Sequence, residues 1–522
     1  MGTYINNGNS SFRESRNSEY VDKSGLISAI NKTLFSEQRF TCVSRSRRFG
    51  KSMAVKMLAA YYDHSCDSRE LFADLEIAND PSFKKHLNRY PVIYLDMTDF
   101  VTRYREDDIV GKMTAVVMKD IQKAYPDIPV EKEDDLMELL IRIASATNER
   151  FFFVIDEWDT ILRECSDNPS MTKRYVDWLR RMFKSKQAND VFTGVYMTGI
   201  LPIKKCDTQS ALNNFEEYSV NDPGDLAPFF GFTKDEVKRL SLKYNMDFDE
   251  LEKWYDGYTI GDEESIFNPN SVMTAIRRHR CSGYWRKTAS YEAIVPYIKM
   301  NFDGLKDDIV ALLAGGRVNV NTTKFQNDLS IVNSKDDVLT VLIHLGYLSF
   351  DWTKNECYVP NYEVSEELQN AVEDSGWTGI MKTLQKSEQL LNDTLAGNAE
   401  AVASGIELAH DEATSILSYN NENSMACVLC IAYIYAKGDY IIHREYATGK
   451  GFADLVLIPR KNVNSPALII ELKYDQDADT AIDQIKRKDY PSKIAEYADN
   501  LMLVGINYDK KTKKHSCVIE KA

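Results

Sequence analysis

Short runs of apolar residues, several of them ending in a polar or acidic residue, recur through the N-terminal part of the chain. These runs predict buried β-strands at 40–43, 91–96, 151–155 and 191–199. Stretches with helical spacing of apolar positions lie between them, at 103–124, 134–147 and 171–187. Strands that alternate with helices predict a parallel sheet covered by helices on both faces.

The pattern changes in the remainder of the chain. Residues 231–300 are helical in pattern and rich in aromatic side chains, which predicts a helical lid. In 301–415, helical stretches lead into two short strands around a polar turn, which favours a winged-helix-like module and a helical connector. Residues 416–522 combine helices with strands. We therefore expect an α/β multidomain chain with domains at 1–230, 231–300, 301–415 and 416–522.

A phosphate-binding loop is predicted where the first strand passes into a helix. Gly50, Lys51 and Ser52 stand at this junction. Backbone N–H groups at the helix start would face the phosphates, Lys51 would neutralise them, and the Ser52 hydroxyl would hold Mg²⁺. A standard loop has glycine five residues before Gly50, where this chain has Arg45, one of three arginines that add cations to the site.

Two further strand ends carry polar residues that such a loop requires. Asp156, at the end of a continuous apolar run, is expected to reach the Mg²⁺, and Glu157 to polarise the attacking water. Thr198 ends the next strand, where it would sense the γ-phosphate or simply satisfy local backbone groups. The apolar run before Asp156 could also be a buried strand capped by solvated acids. The phosphate-binding loop followed by this acidic strand end nevertheless favours an NTPase fold.

A second group of candidate catalytic residues lies near the C-terminus. Asp454 is part of one predicted strand, and Glu471 and Lys473 are two residues apart on another, so the last two share a face. If the strands pair, Asp454 and Glu471 can hold one or two divalent cations, Mg²⁺ or Mn²⁺. Lys473 would then position or deprotonate a water and stabilise negative charge on a phosphoryl group.

Several motifs resemble those of the AAA-ATPase-like proteins of gut and anaerobic bacteria. They are Tyr20-Val21-Asp22-Lys23, the loop 44–52, Val154-Ile155-Asp156-Glu157, Thr198-Gly199, Leu212-Asn213-Asn214-Phe215, Gly231-Phe232-Thr233 and 254–258. The resemblance covers nearly the whole chain and implies that arginine at position 45 is usual. It implies a P-loop domain that binds ATP and Mg²⁺.

The resemblance also implies a C-terminal domain of the PD-(D/E)XK nuclease superfamily, with a restriction-endonuclease-like α/β fold. Asp454 followed by Glu471-Leu472-Lys473 matches the arrangement that defines this superfamily. Glu422, Gln484 and Tyr490 stand where the resemblance implies supporting residues. The chain has Phe452 where relatives more often carry arginine, which removes one phosphate contact and no metal ligand.

The charge distribution decides whether nucleic acid is a plausible partner. The 522 residues carry a net charge of −15, which argues against coating nucleic acid by charge alone. Residues 61–440 carry −23, whereas 1–60 carry +6 and 441–522 carry +2, so any contact with DNA must be local. We expect no membrane segment, since no apolar run approaches about 18 residues. Nine scattered cysteines favour a reducing cytoplasm.

The leading hypothesis is a cytoplasmic bacterial enzyme in which an ATP-hydrolysing domain is coupled to a Mg²⁺-dependent DNA nuclease. The alternative is a nucleotide-dependent switch or scaffold whose nuclease-like domain only binds nucleic acid or a protein partner. A chain with two degenerate sites is a third possibility, against which the intact Asp454, Glu471 and Lys473 argue. An oligomer is possible, but no arginine finger can be chosen from 163, 180 and 181.

Overall fold

The computed structural model describes most of the chain. The described residues are 2–105, 108–131, 135–203, 212–285, 291–313, 315–325, 332–414, 428–430, 432–433, 436, 439–448, 451–460, 463, 465–487, 497 and 500–521. The chain forms two compact units, each made of three segments. The first unit contains residues 1–246, 256–279 and 321–353, and the second contains 247–255, 280–320 and 354–522.

The described helices are numbered in chain order. They are α1 (Ser10–Arg16), α2 (Gly25–Thr33), α3 (Lys51–Tyr62), α4 (Arg69–Phe72), α5 (Phe83–His86), α6 (Met97–Tyr104), α7 (Ile109–Ala124), α8 (Leu136–Thr147), α9 (Thr160–Glu164), α10 (Pro169–Phe183), α11 (Ala188–Val191), α12 (Lys234–Tyr244), α13 (Phe248–Tyr255), α14 (Pro269–Arg278), α15 (Val295–Lys299), α16 (Leu305–Leu313), α17 (Lys335–Leu345), α18 (Tyr362–Asp374), α19 (Thr378–Leu395), α20 (Ala399–Thr414) and α21 (Ala478–Arg487).

The described strands are numbered in the same way. They are β1 (Phe40–Ser44), β2 (Val92–Asp96), β3 (Phe151–Asp156), β4 (Phe192–Gly199), β5 (Glu216–Tyr218), β6 (Phe232–Thr233), β7 (Tyr258–Ile260), β8 (Glu263–Phe267), β9 (Val318–Asn319), β10 (Ser349–Asp351), β11 (Glu356–Tyr358), β12 (Tyr440–Thr448), β13 (Gly451–Pro459), β14 (Ala467–Tyr474), β15 (Leu501–Asp509) and β16 (Lys514–Lys521).

The first unit is built on a five-stranded parallel sheet with the order β2-β3-β4-β1-β5. Parallel neighbours need crossover connections, which the helices between the strands provide. Because all five strands point the same way, the carboxyl ends of β1, β3 and β4 lie at one edge. The predicted parallel sheet of a P-loop NTPase is thus confirmed.

The central strand β3 contributes to two apolar cores, one on each face of the sheet. Phe151, Phe153 and Ile155 belong to the core that includes residues of α7, α8 and α10. Phe152 and Val154 belong to the core that includes residues of α2 and α3. Burial on both faces explains why this strand has no polar position before Asp156.

Two sequence predictions differ from the structure in detail. The single helix expected at 103–124 is two helices, α6 and α7, because the Asp108 side chain accepts the backbone N–H of Gly111 and caps a new helix. Residues 231–300 contain helices but also a small antiparallel sheet with the order β6-β8-β7. The turn between β7 and β8 contains Gly261 at φ +63°, a conformation that glycine adopts without strain.

The second unit contains a five-stranded mixed sheet with the order β12-β13-β14-β15-β16. Strands β14 and β15 are parallel, and the other neighbours are antiparallel. On one face, Ile482 and Ile485 of α21 pack into a core with residues of β13, β14 and β15. This sheet confirms the predicted C-terminal α/β fold.

The region expected to be winged-helix-like contains α16, α17 and the short strands β9, β10 and β11. A winged-helix assignment and the four predicted domain boundaries remain predictions. In the described part of the chain, no helix combines the length and the apolar character that crossing a bilayer requires.

Candidate active sites

The phosphate-binding loop follows β1 and ends at Gly50, which precedes α3. Gly50 has φ +92°, so a side chain at this position would strain the backbone. Because Gly50 offers no side-chain cap, the first N–H groups of α3 remain available as donors. The helix has 12 residues, and its N-terminus favours a negative charge.

Lys51 is buried beneath this loop. Its Nζ donates to the carbonyl oxygens of Arg45 at 3.0 Å and Ser46 at 3.2 Å, and lies 3.4 Å from Glu157 Oε1. The ammonium group is thus held by the loop at the carboxyl edge of the sheet. This is the position that a lysine needs to meet phosphate oxygens.

Asp156 at the end of β3 accepts hydrogen bonds from two neighbouring hydroxyl groups. Thr198 Oγ1 on β4 donates to Asp156 Oδ1 at 2.6 Å, and the Ser52 hydroxyl also bonds to this carboxylate. Burial, with help from the Glu157 charge, raises the pKa of Asp156 to about 6. A buried carboxylate beside a hydroxyl group fits a divalent cation, which would compensate its charge.

Glu157 is held in an unusual backbone conformation with φ +51°. Its Oε2 accepts from Arg163 Nη2 at 3.0 Å, and Arg163 Nε donates to Asp159 Oδ2 at 2.8 Å. The fully buried Asp159 also accepts the backbone N–H groups of Ile200 and Leu201. Sequence reasoning missed this role of Arg163, although its four-residue spacing from Asp159 on one helical turn was the available signal.

A cavity of about 660 Å³ opens beside the loop. This volume lies in the range of small-molecule sites. Its wall is formed by the loop and α3, by an N-terminal segment and by α14. The lining residues are Ser18, Glu19, Tyr20, Val21, Lys23, Arg48, Phe49, Gly50, Lys51, Ser52, Met53, Ala54, Met57, Glu157, Phe229, Gly231, Phe232, Tyr244, Pro269, Asn270, Met273, Ile276, Arg277 and His279.

The cavity shows where the N-terminal motif Tyr20-Val21-Asp22-Lys23 lies relative to the loop. Tyr20 belongs to the N-terminal motif and lies on the wall, with its hydroxyl 3.4 Å from Met57 Sδ. Lys23 is tied to the carbonyl of Pro228 and to Glu236 Oε2, both at 2.8 Å. Arg277, in the last turn of α14, also lies on the cavity wall.

The side chain of Arg45 lies elsewhere. It is fully buried, and Nη1 donates to the carbonyl oxygens of Ser44 at 2.9 Å and Tyr218 at 2.8 Å. Its guanidinium group lies over the Phe230 ring, and burial lowers the pKa of Arg45 to about 10. The structure therefore brings Gly50, Lys51, Ser52, Asp156 and Thr198 together, whereas Arg45 contributes its backbone carbonyl to Lys51.

The second candidate site lies at the carboxyl end of β14. Leu455 pairs with Ile470 across β13 and β14, which places Asp454 beside Glu471. Asp454 Oδ2 accepts the backbone N–H of Leu472 at 2.7 Å, and Lys473 Nζ lies 3.2 Å from Glu471 Oε1. The three predicted catalytic residues are thus neighbours.

Helix α21 brings a fourth side chain to this site. Gln484 Nε2 donates to Glu471 Oε1. The helix approaches closely because Gly505 of β15 has no side chain: a Cβ there would lie 2.4 Å from the carbonyl oxygen of Ala478. Glu422 and Tyr490, the other two predicted supporting residues, lie outside the described residues.

The charges at this site fit a divalent cation. Asp454 and Glu471 are neighbours across β13 and β14, Glu471 is 2% exposed, and the ammonium group of Lys473 lies 3.2 Å from Glu471 Oε1. Neighbouring carboxylate oxygens are the hard ligands that a divalent cation such as Mg²⁺ or Mn²⁺ takes. Among the described residues, no group of three or more His, Cys, Asp or Glu side chains suited to a metal occurs.

Comparison with known proteins supports both domain assignments. Residues 7–208 match the family described as predicted AAA-ATPase, and residues 420–517 match the PD-(D/E)XK nuclease superfamily. These matches confirm the two resemblances noted in the sequence. They support nucleotide binding in the N-terminal part of the chain and a nuclease-type domain in the C-terminal part.

One relative and one solved structure are also similar. The "Uncharacterized protein in vnfD 5'region" of Azotobacter chroococcum mcd 1 is 22% identical over 522 residues, which cover 95% of this chain and 94% of that protein. A structure of the Aeropyrum pernix ORC2 protein, solved as ADPNP-ADP complexes, covers 68% of this chain and 96% of its own at 10% identity. Its TM-score is 0.33, too low to define a shared fold.

Proposed function

We propose that the chain binds and hydrolyses ATP at the edge of its parallel sheet and cleaves DNA phosphodiester bonds at the carboxyl end of β14. The observation that carries the first activity is the grouping of Lys51, Ser52, Asp156 and Thr198 beside a cavity large enough for a nucleotide. The second activity is supported by the contacts that join Asp454, Glu471, Lys473 and Gln484.

ATP would bind with its phosphates at the N-terminus of α3. Lys51 would exchange its carbonyl partners for phosphate oxygens, and the N–H groups after Gly50 would donate to them. The base and ribose would occupy the apolar part of the cavity, between the segment around Tyr20 and helix α14. Arg277, on the wall of the cavity, would add a second cation near the nucleotide.

The hydrolytic step would depend on Glu157 and its neighbours. Ser52 and Asp156 would hold Mg²⁺, which neutralises charge on the phosphates. Glu157 would orient the attacking water, and its 21% exposed side chain lies on the cavity wall. Thr198 would align Asp156 through its 2.6 Å hydrogen bond.

Cleavage of DNA would use the second site. Asp454 and Glu471 would hold Mg²⁺ or Mn²⁺, which supplies Lewis-acid activation of a phosphoryl oxygen and of water. Lys473 would position the water and stabilise the negative charge that develops on the phosphate. Gln484 would hold Glu471 in place.

Nucleotide binding and turnover test the first site. We expect Lys51→Ala to abolish binding of a fluorescent ATP analogue, and Glu157→Gln to retain binding but lose phosphate release. Lys56→Ala, on the next turn of α3 and not on the cavity wall, is the matched control. Tight binding without turnover in the unaltered chain would instead favour a nucleotide-dependent switch.

Cleavage of linear and circular DNA with Mg²⁺ or Mn²⁺ tests the second site. We expect Asp454→Ala and Lys473→Ala to abolish cleavage. Asp479→Ala and Lys486→Ala remove the same charges from α21 and should cleave normally. Cleavage that survives both site variants would contradict the assignment, and binding of DNA without cleavage by the unaltered chain would favour a scaffold.

A further inference from the structure

A lysine-rich turn connects the last two strands of the second unit. Strands β15 and β16 form a hairpin in which Asp509 lies opposite Lys514. The turn and its flanks carry four lysines, and all four are exposed: Lys510, Lys511, Lys513 and Lys514. A lysine-rich turn of this kind can be a solvated hairpin, or it can contact a phosphate backbone.

The turn is held in a defined conformation by two carboxylates at its base. Asp475 Oδ1 accepts the backbone N–H of Lys510 at 2.7 Å. Asp509 Oδ1 accepts those of Lys511 at 2.7 Å and Thr512 at 3.0 Å. Because these acids are engaged by backbone N–H groups, they order the turn. Within the described part of the chain, none of the four lysine ammonium groups forms an ion pair.

The strand register places this turn at the same edge of the sheet as the second candidate site. Lys473 lies opposite Asn507 in the parallel pair of β14 and β15. Lys510 follows Asn507 by three residues, so its Cα lies within about 10 Å of that position. A nucleic-acid strand advances about 3.4 Å per nucleotide, so this distance corresponds to about three nucleotides.

We propose that the segment Lys510–Lys514 binds the phosphate backbone of a nucleic-acid strand and directs it towards Asp454 and Glu471. The inference rests on the proposed nuclease function and adds to it the surface that holds the substrate. A net charge of −15 excludes binding by overall charge, so a local cluster of exposed ammonium groups has to provide the attraction. Lysines that contact phosphates confer no sequence preference, so binding through this turn should be independent of sequence.

Binding without cleavage tests the surface separately from the chemistry. The full-length Asp454→Ala chain, in chelator, is titrated against fluorescent duplex DNA, single-stranded DNA and RNA at several salt concentrations. The test variant changes the four turn lysines to glutamine. The matched control changes four exposed lysines of the first unit, Lys84, Lys85, Lys112 and Lys119, to glutamine and therefore has the same net charge.

We expect the turn variant to bind at least about tenfold more weakly at low salt, with a salt slope reduced by about 0.9 for each lost contact to duplex DNA. The control should bind like the parent chain. A variant with arginine at the four turn positions should retain binding, since it keeps the charge, and its binding also shows that the turn tolerates substitution. Equal losses in the turn variant and the control would overturn the inference.

Further outcomes separate this inference from the nuclease proposal. If the unaltered chain does not cleave DNA but binds it through the turn, the proposed binding surface is supported and the proposed nuclease activity is contradicted. If the unaltered chain cleaves DNA and the turn variant binds and cleaves it equally well, the proposed nuclease activity is supported and the proposed binding surface is overturned. Absence of all nucleic-acid binding would also overturn the proposed binding surface.

Discussion

Arg163 Nη2 donates to Glu157 Oε2 at 3.0 Å, and this contact links the proposed catalytic base to a buried ion-pair network. The same guanidinium group reaches Asp159 through Nε at 2.8 Å, and Asp159 holds the backbone just after β4. The Arg163 side chain is 7% exposed, so its orientation is set by the interior. Arg163 is therefore a positioning residue for Glu157.

Replacing Arg163 with glutamine should lower the turnover number for ATP by about tenfold or more, because an unheld carboxylate orients water poorly. The KM for ATP should change much less, since Arg163 does not line the cavity. Arg163→Lys should recover part of the rate, which a purely structural defect would not predict. Steady-state kinetics check this prediction, with Arg180→Gln, whose side chain is 41% exposed, as the control. An unchanged turnover number would contradict it.

ATP turnover should depend on the hydroxyl group of Thr198, which donates to Asp156, and not on the shape of the Thr198 side chain. Thr198→Val keeps the volume of the side chain but leaves the buried carboxylate without this donor, at a cost of about 1–3 kcal/mol. We expect slower ATP turnover in the valine variant and near-normal turnover in Thr198→Ser. Phosphate release, measured with Mg²⁺ present, distinguishes them. Equal rates for valine and serine would show that the hydroxyl is dispensable.

Protonation of His515 should lower the free energy of unfolding of the second unit in mild acid. Burial lowers the pKa of His515 from 6.5 to about 4, and His410 Nδ1 lies 3.2 Å from its Nε2. The unfolded chain therefore takes up a proton first as the pH falls. The contribution of His515 is complete above about pH 6.5 and is lost as the pH falls towards 4, by at most about 3 kcal/mol.

Unfolding by urea at several pH values checks this dependence. In His515→Gln, whose new side chain cannot be protonated, the free energy of unfolding should fall less between about pH 6.5 and 4 than in the unaltered chain. His279→Asn is the control, because His279 is exposed and its left-handed conformation is one that asparagine tolerates. A pH profile that is the same in His515→Gln and in the unaltered chain would contradict the prediction.

Gly505→Ala should impair the second site without altering any of its side chains. The new Cβ would lie 2.4 Å from the carbonyl oxygen of Ala478 and 3.0 Å from Ile482, so α21 would have to move. We expect a loss of stability of about 1–3 kcal/mol and slower DNA cleavage, since Gln484 would move with the helix. In Gly283→Ala the nearest atom lies 3.4 Å away, so stability and cleavage should be unchanged.

The sequence predicted those candidate site residues that are defined by their place on a strand. Asp156 and Thr198 were found because each ends an apolar run, and the carboxyl ends of parallel strands meet at one edge. Glu471 and Lys473 were found because two-residue spacing places them on one face. Arg45 could not be placed in this way, since its side chain is held by the Tyr218 carbonyl of a distant strand.

The sequence by itself determined the α/β class, the two sets of candidate catalytic residues and the local character of the positive charge. These depend on periodicity, on strand ends and on composition, which are all local properties. Only the tertiary structure decided that Arg163 holds Glu157, that α14 closes the cavity wall and that the lysine-rich turn lies at the edge of the second site. Each of these depends on packing between residues far apart in the chain, and periodicity carries no information about such contacts.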